Sequence, residues 1–199
     1  NKLAEEQVSS YVKRLEQSTM ATAKAVGHMV ELRDPYTAGH EGRVADLAVA
    51  IAAELGLSHD LQTGLRVMGE LHDVGKIAVP AEILAKPGRL TPVEFEIVKN
   101  HAQQGYDILK LVDFPWPVAE GVYQHHERLD GSGYPLGLKG DQIGIEGRIL
   151  SVADTVEAMA SHRPYRAGLG LDVALQEIEK GAGTTFDAAV VKACIKVFR

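Results

Sequence analysis

Residues 61–76 read LQTGLRVMGELHDVGK. Leu61, Leu65, Met68 and Leu71 recur three and four apart, the spacing that lines one face of an α-helix. His72 keeps to that apolar face, one turn after Met68, while Asp73 projects about 100° further round. The pattern predicts a helix over roughly residues 60–75. An imidazole and a carboxylate at its buried end are costly unless hydrogen bonds or a cation receive them.

The same period extends outward in both directions. Leu3, Val8, Tyr11 and Leu15, then Ala21, Ala25 and Met29, predict one long amphipathic helix over residues 1–33. It reads either as a connector from an upstream domain or as a helix packed on its own domain. Asp34-Pro35 breaks it, because the residue before proline disfavours helix. Thr37 is expected to cap a second helix with Val44, Leu47, Ala48, Ile51 and Leu55 on one face, closed by Gly56. Residues 77–90 read as irregular, and Thr91-Pro92-Val93-Glu94 then matches a capping box with proline at the first helical position. The helix that follows carries Phe95, Val98, His101, Ala102, Tyr106 and Leu109. Phe114-Pro115-Trp116-Pro117 opens another, with Val118, Val122, His125 and Leu129 on one face. A glycine-rich loop over 130–146 precedes helices at 149–159, 171–180 and 187–197. No run alternates with period two, so the expected fold is all-α and without internal repeats.

Composition narrows the options. The 199 residues are 45% hydrophobic, enough for one sizeable core and one main domain. A formal net charge of −6 argues against non-specific binding of polymeric nucleic acid, and any anionic ligand needs local cations. The single cysteine, Cys194, excludes an internal disulfide and fits a reducing compartment. No apolar run approaches the roughly 20 residues of a membrane span, and no signal peptide is visible. The chain opens at Asn1, already in helical pattern, and is expected to be a fragment of a longer protein.

Histidine placement carries the functional information. His40, His72, His101 and His125 each fall on the apolar face of a separate helix. One alone reads as an ordinary core histidine; four together need shared partners, and a metal centre supplies them. Asp73 beside His72 has two oxygens and can bridge a metal pair, and His125-His126 poses the same straddling geometry. Asp154 lies at the edge of the stripe Ile149, Val152, Ala153 and Val156, as a ligand or as a solvated helix residue. Imidazoles and carboxylates without thiolate suit Fe, Mn, Ni, Co or Zn rather than Ca. Two such ions a few ångströms apart are a common device for hydrolysing phosphate esters. Lys76, four residues after His72, would point at bound phosphate, or else is a surface lysine near a helix end. His28, His59 and His162 read as structural or surface residues.

With HDVGKIAVP at 72–80, HHERLDGSGYP at 125–135, RDPYTAGH at 33–40 and RILSVADTVEAMASHRPYR at 148–166, the chain resembles the HD-GYP family of cyclic di-GMP phosphodiesterases, within the HD superfamily. The resemblance runs from about Glu31 to Phe198. It implies an HD-domain helical bundle over 34–199, with 1–33 as the amphipathic connector helix. It implies that His40, His72, Asp73 and Asp154 hold one metal, and that a bridging Asp73 with His101, His125 and His126 holds the second. Lys76 would touch the scissile phosphate or assist the leaving oxygen, so Asp73 and Lys76 are the expected catalytic pair. Tyr134, Arg163 and Arg166 would contact the dinucleotide, the two arginines sharing a face if the helix from Ile149 runs past Pro164.

Some family members place a glutamate one turn before the first histidine, where it helps bind a third metal. Here that position is Tyr36, so the resemblance implies two divalent ions, Fe or Mn, rather than three. Glu41 and Glu127 are the possible substitutes, and Glu127 is otherwise expected to orient a ligand histidine. The implied reaction is attack of a metal-bridging hydroxide on cyclic di-GMP, giving pGpG and, after a second cut, GMP. Two other readings keep the fold: a non-catalytic cyclic-dinucleotide sensor or docking module for diguanylate cyclases at the Gly-Tyr-Pro loop, or a phosphohydrolase for another cyclic dinucleotide. Homodimerisation through the first helix and a cytoplasmic setting, with any membrane anchor in segments outside this chain, complete the expectations.

Overall fold

The computed structural model describes residues 2–34, 38–161 and 169–199. Its α-helices are α1 (Lys2–Glu31), α2 (His40–Glu54), α3 (His59–Leu71), α4 (Ala81–Leu84), α5 (Pro92–Lys99), α6 (His101–Leu109), α7 (Val118–Gln124), α8 (Ile145–Ala160), α9 (Leu171–Lys180) and α10 (Ala188–Val197). Short 3₁₀ turns span Val74–Ala78 and Gly140–Gln142, and no strand occurs among the described residues. The all-α expectation holds. No helix of the described residues is long and apolar enough to cross a membrane.

The core forms where α2 lies between α3, α8 and α10. Val44, Ala48 and Ile51 of α2 meet Leu65 and Met68 of α3, Ile149 and Ala153 of α8, and Val190 and Cys194 of α10, all fully buried. Each set repeats at three- and four-residue spacing, so the apolar stripe of every helix faces inward. Ala23 and Val30 add the second half of α1 to this core, while its first half stands clear.

Several boundaries depart from the sequence expectation. Thr37 lies outside the described residues, and Gly39 occupies the N-cap position of α2. The helix expected over 60–75 ends at Leu71, and the chain tightens into the first 3₁₀ turn. The single helix expected after Thr91 is two, α5 and α6, joined at Asn100. Its capping box is present: the Thr91 hydroxyl accepts from the Glu94 N–H at 3.3 Å, and the Glu94 carboxylate accepts from the Thr91 N–H at 2.7 Å. Helix α7 stops at Gln124, so Leu129 lies beyond it and donates its N–H to the Thr185 carbonyl. Asp187 caps α10 by accepting from the N–H groups of Ala189 and Val190.

Candidate metal centre

The centre is built at helix ends. His72 is the C-cap of α3, His125 the C-cap of α7, and His40 and His101 open α2 and α6. Between His72 and α6 the chain passes through Gly75, where an added Cβ would fall 1.9 Å from the His101 carbonyl oxygen. Only glycine permits that approach, and it brings Asp73 up to His101.

Asp73 then faces two ways. Its Oδ1 lies 3.2 Å from His101 Nε2, and its Oδ2 lies 3.7 Å from His72 Nε2. Two compact groups share it: His40, His72 and Asp73, and Asp73, His101, His125 and His126, each with donor atoms within 4.8 Å of one another. Asp154 stands beside both, with Oδ1 3.2 Å from His40 Nε2 and Oδ2 3.9 Å from His126 Nδ1. The structure thus gathers all seven residues expected as ligands.

Four imidazoles are oriented from behind. The Nδ1 of His72 lies 2.8 Å from the Gly69 carbonyl, that of His101 2.6 Å from Val98, and that of His125 2.5 Å from Val122. His40 Nδ1 meets the Glu157 carboxylate, which Arg43 and Ser161 also hold. With Nδ1–H donating to these oxygens, each Nε2 lone pair is left facing the centre. His72 Nε2 is buried and has no hydrogen-bond partner. A buried ring nitrogen without a hydrogen-bond partner, set amid carboxylates, is what a divalent cation would satisfy, so the residues fit a metal.

Electrostatics divide the cluster. Burial opposes charge on His40 and His72, but the carboxylates win: Asp154 and Glu157 raise His40 to about 9, and Glu41 and Asp73 raise His72 to about 10. Burial and neighbouring imidazoles push His125 down to about 3 and His126 below its usual value. Despite burial, Asp73 is held well below the carboxylate range by Lys76 and His72, and Asp154 by His40 and His72.

Lys76 reaches the site by a different route from the one expected. It lies in the 3₁₀ turn rather than on α3, and its Nζ sits 2.5 Å from Asp73 Oδ2 and 3.3 Å from Asp34 Oδ2. Burial works against its charge, but Asp73 and Asp34 raise it above the usual lysine value. Tyr134 follows in the loop whose base is closed by a bridge between Asp130 and Lys139. Its ring lies against His126, centroids 4.6 Å apart and planes inclined by 31°, after which the peptide bond to Pro135 is cis.

Glu127 corrects an expectation. Rather than orienting a histidine or serving a metal, its buried carboxylate accepts from the N–H groups of Leu136 at 2.7 Å and Leu138 at 2.9 Å. Glu41 lies behind His72, its Oε2 2.7 Å from Nδ1, on the side away from the centre. Neither supplies a third-metal ligand in this arrangement. Tyr36, His162, Arg163 and Arg166 lie outside the described residues. His28 and His59 are exposed, as expected.

A family model described as HD domain matches residues 24–190. The chain belongs to the HD domain family. This HD domain is 41% identical, over 98% of its length, to a cyclic di-GMP phosphodiesterase of Thermotoga maritima, and spans 54% of that relative. It is 42% identical to 3'3'-cGAMP-specific phosphodiesterase 3 of Vibrio cholerae over 82% of the chain and 35% of the relative. The chain therefore spans about half or less of these two curated relatives. Among solved structures, Bd1817, a HDG"Y"P protein from Bdellovibrio bacteriovorus, matches 92% of the chain and 64% of its own at a TM-score of 0.69. At 18% identity that likeness speaks for the fold of the HD domain alone.

Sequence reasoning missed three contributors. Glu157, one turn after Asp154 on α8, was detectable as a second carboxylate on the same helix face. Lys99 Nζ stands 5.0 Å from the Phe95 ring centroid and 5.6 Å from that of Tyr134, tying α5 to the loop. Arg128 donates to the Ser151 hydroxyl and lies over the Phe186 ring. The Lys99–Phe95 pair, four apart on α5, was open to the sequence, but the contacts of Lys99 with Tyr134 and of Arg128 with Ser151 and Phe186 join segments distant in the chain.

Proposed function

We propose that this HD domain is a metal-dependent phosphodiesterase that hydrolyses cyclic di-GMP to pGpG and, by a second cut, to GMP. The observation that carries the reading is Asp73, with one oxygen toward His101 and the other toward His72. Residues 34–199 are the catalytic domain in this reading and 1–33 the connector. The ions are Fe or Mn, two in number. A bound pair of such ions supplies Lewis acidity to phosphoryl oxygens and a water-derived nucleophile at neutral pH.

The chain's own residues prepare the rest. Nδ1 contacts fix His40, His72, His101 and His125 so that their Nε2 lone pairs need no reorganisation when a cation binds. Lys76, kept charged beside Asp73, faces the phosphate and stabilises charge developing on it. Tyr134, stacked on His126, offers an aromatic face to a nucleobase at the rim. Arg163 and Arg166 add positive charge toward the dinucleotide, against a chain net charge of −6. A partner protein such as a diguanylate cyclase would meet the Gly-Tyr-Pro loop at exposed Leu136. A cytoplasmic setting, where cyclic dinucleotides are made and consumed, belongs to the same reading.

The test is turnover. The chain loaded anaerobically with Mn or Fe(II) is expected to convert cyclic di-GMP to pGpG, with Asp73→Asn and His126→Ala inactive. Absence of product with either metal would defeat the proposal, and tight binding without product would point to a sensor. The likeness to the Vibrio cholerae 3'3'-cGAMP-specific phosphodiesterase favours a second reading, with 3'3'-cGAMP as the substrate. Relative kcat/KM for the two dinucleotides under one metal decides between them.

A further inference from the structure

Helix α1 has two apolar faces, and its own domain uses one. Ala23 and Val30 are buried, Met20 and Val26 pack against the core, and a Cβ on Gly27 would fall 2.4 Å from the Glu70 carbonyl oxygen. On another side Val8, Tyr11, Leu15, Met29 and Leu32 are between 61% and 73% exposed. The buried face begins only near Met20, whereas the exposed one runs the full helix.

The spacing of the exposed face is regular. Positions 4, 8, 11, 15, 18, 22, 25, 29 and 32 hold Ala, Val, Tyr, Leu, Ser, Thr, Ala, Met and Leu, alternating steps of four and three. A seven-residue repeat sustained over the length of a 30-residue helix is the period at which two helices keep one seam between them. No charged residue falls on it. The residues buried most deeply against the domain, Ala23 and Val30, lie roughly 60–120° round the helix from Leu15 and Met29, and the large seam residues keep most of their surface exposed for a second helix.

We infer that α1 is a homodimer seam along which a second copy of this chain packs parallel and in register, through Val8, Tyr11, Leu15, Ala25, Met29 and Leu32. In this register the small polar layers at Ser18 and Thr22 meet themselves, and the flanking Arg14 faces Thr19 of the second copy. The antiparallel register that also matches the small residues would set Arg14 against His28, a poorer pairing. The seam ends beside the metal centre. Glu31 accepts from the Glu41 N–H at 3.3 Å, Arg33 donates to the Ile77 carbonyl at 2.5 Å, and Asp34 lies 3.3 Å from Lys76. The chain leaving the helix that joins two copies thus braces the lysine of each.

The experiment needs no catalytic readout, so its failure is separate from failure of the proposed activity. The chain of 199 residues is expected to run as a dimer by light scattering at micromolar concentration. Leu15→Glu should weaken association about 100-fold, since two apolar side chains leave a shared seam. The native chain's one cysteine, Cys194, is buried, which leaves introduced thiols as the reactive ones. Leu15→Cys is expected to cross-link to itself under mild oxidation, whereas Lys13→Cys, on the far side of the helix, is not. A monomeric wild type, a dimer indifferent to Leu15→Glu, or equal cross-linking at both positions would each overturn the inference.

Discussion

In sequence Glu127 sits between the paired histidines and the tyrosine whose ring lies against His126, and its two oxygens hold the N–H groups of Leu136 and Leu138. A buried carboxylate with both oxygens taken by backbone donors acts as a pin for the loop that carries Tyr134. Glu127→Gln keeps one acceptor and turns an amide N–H₂ toward the other donor. Bonds to a charged group contribute roughly 1.5–3 kcal/mol, so the variant is expected to lose about that much. Hydrogen exchange at Leu136 and Leu138 should accelerate at least about tenfold, while metal content stays at the wild-type level. Metal loss equal to that of His126→Ala would return Glu127 to the ligand shell. Cys194 offers a second check at this scale. Burial pushes its thiol up to about 12, so it should resist alkylation at pH 8 in the folded chain and react once denaturant is added.

Helices were legible in the sequence because each buries a stripe of period 3.6, and that period needs no knowledge of the partner. His40, His72, His101 and His125 could be placed on those stripes for the same reason. What stayed hidden depends on contacts between distant segments. The stop of α3 at Leu71 goes with a tight approach of Gly75 to the His101 carbonyl, which no local pattern announces. Glu127 was misread because its acceptors' partners lie nine and eleven residues on, in a loop with no regular period. Gly75 gives the element-scale prediction. Its missing Cβ would sit 1.9 Å from one backbone oxygen and 2.4 Å from the Gly105 nitrogen, so the 3₁₀ turn must leave α6 in Gly75→Ala. Overpacking costs about 1–3 kcal/mol where side chains can yield, and here only backbone could move, so a loss of about 3 kcal/mol or more is expected. Because the turn carries Asp73 to His101, one equivalent of metal should go with it. Calorimetry and metal analysis on the same preparation test both halves, and an unchanged metal count would separate the turn from the centre.

The whole molecule joins two kinds of interior: an apolar core between α2, α3, α8 and α10, and a polar one in which five histidines and two aspartates converge. The second is poorly served without a cation. Stripped of metal, it keeps protons on His40 and His72, raised to about 9 and about 10 by their carboxylates. A histidine raised on folding contributes stability that is full below its unfolded value and fades as pH climbs through the folded one. The metal-free domain should therefore weaken from about pH 6.5 upward. Metal binding follows the opposite course, because ligand imidazoles must be neutral and protons compete for their lone pairs. Ligand at about 100 times its dissociation constant adds about 2.7 kcal/mol to the folded state. For a chain of 199 residues, at roughly 2–4 °C per kcal/mol, that is about 5–10 °C in Tm. Calorimetry of Mn-loaded and chelator-stripped protein is thus expected to show the loaded form melting higher at pH 6.5 and the gap widening by pH 8.5. A gap that narrows over that interval would mean that His40 and His72 keep their protons with the metal in place, and so are not its ligands.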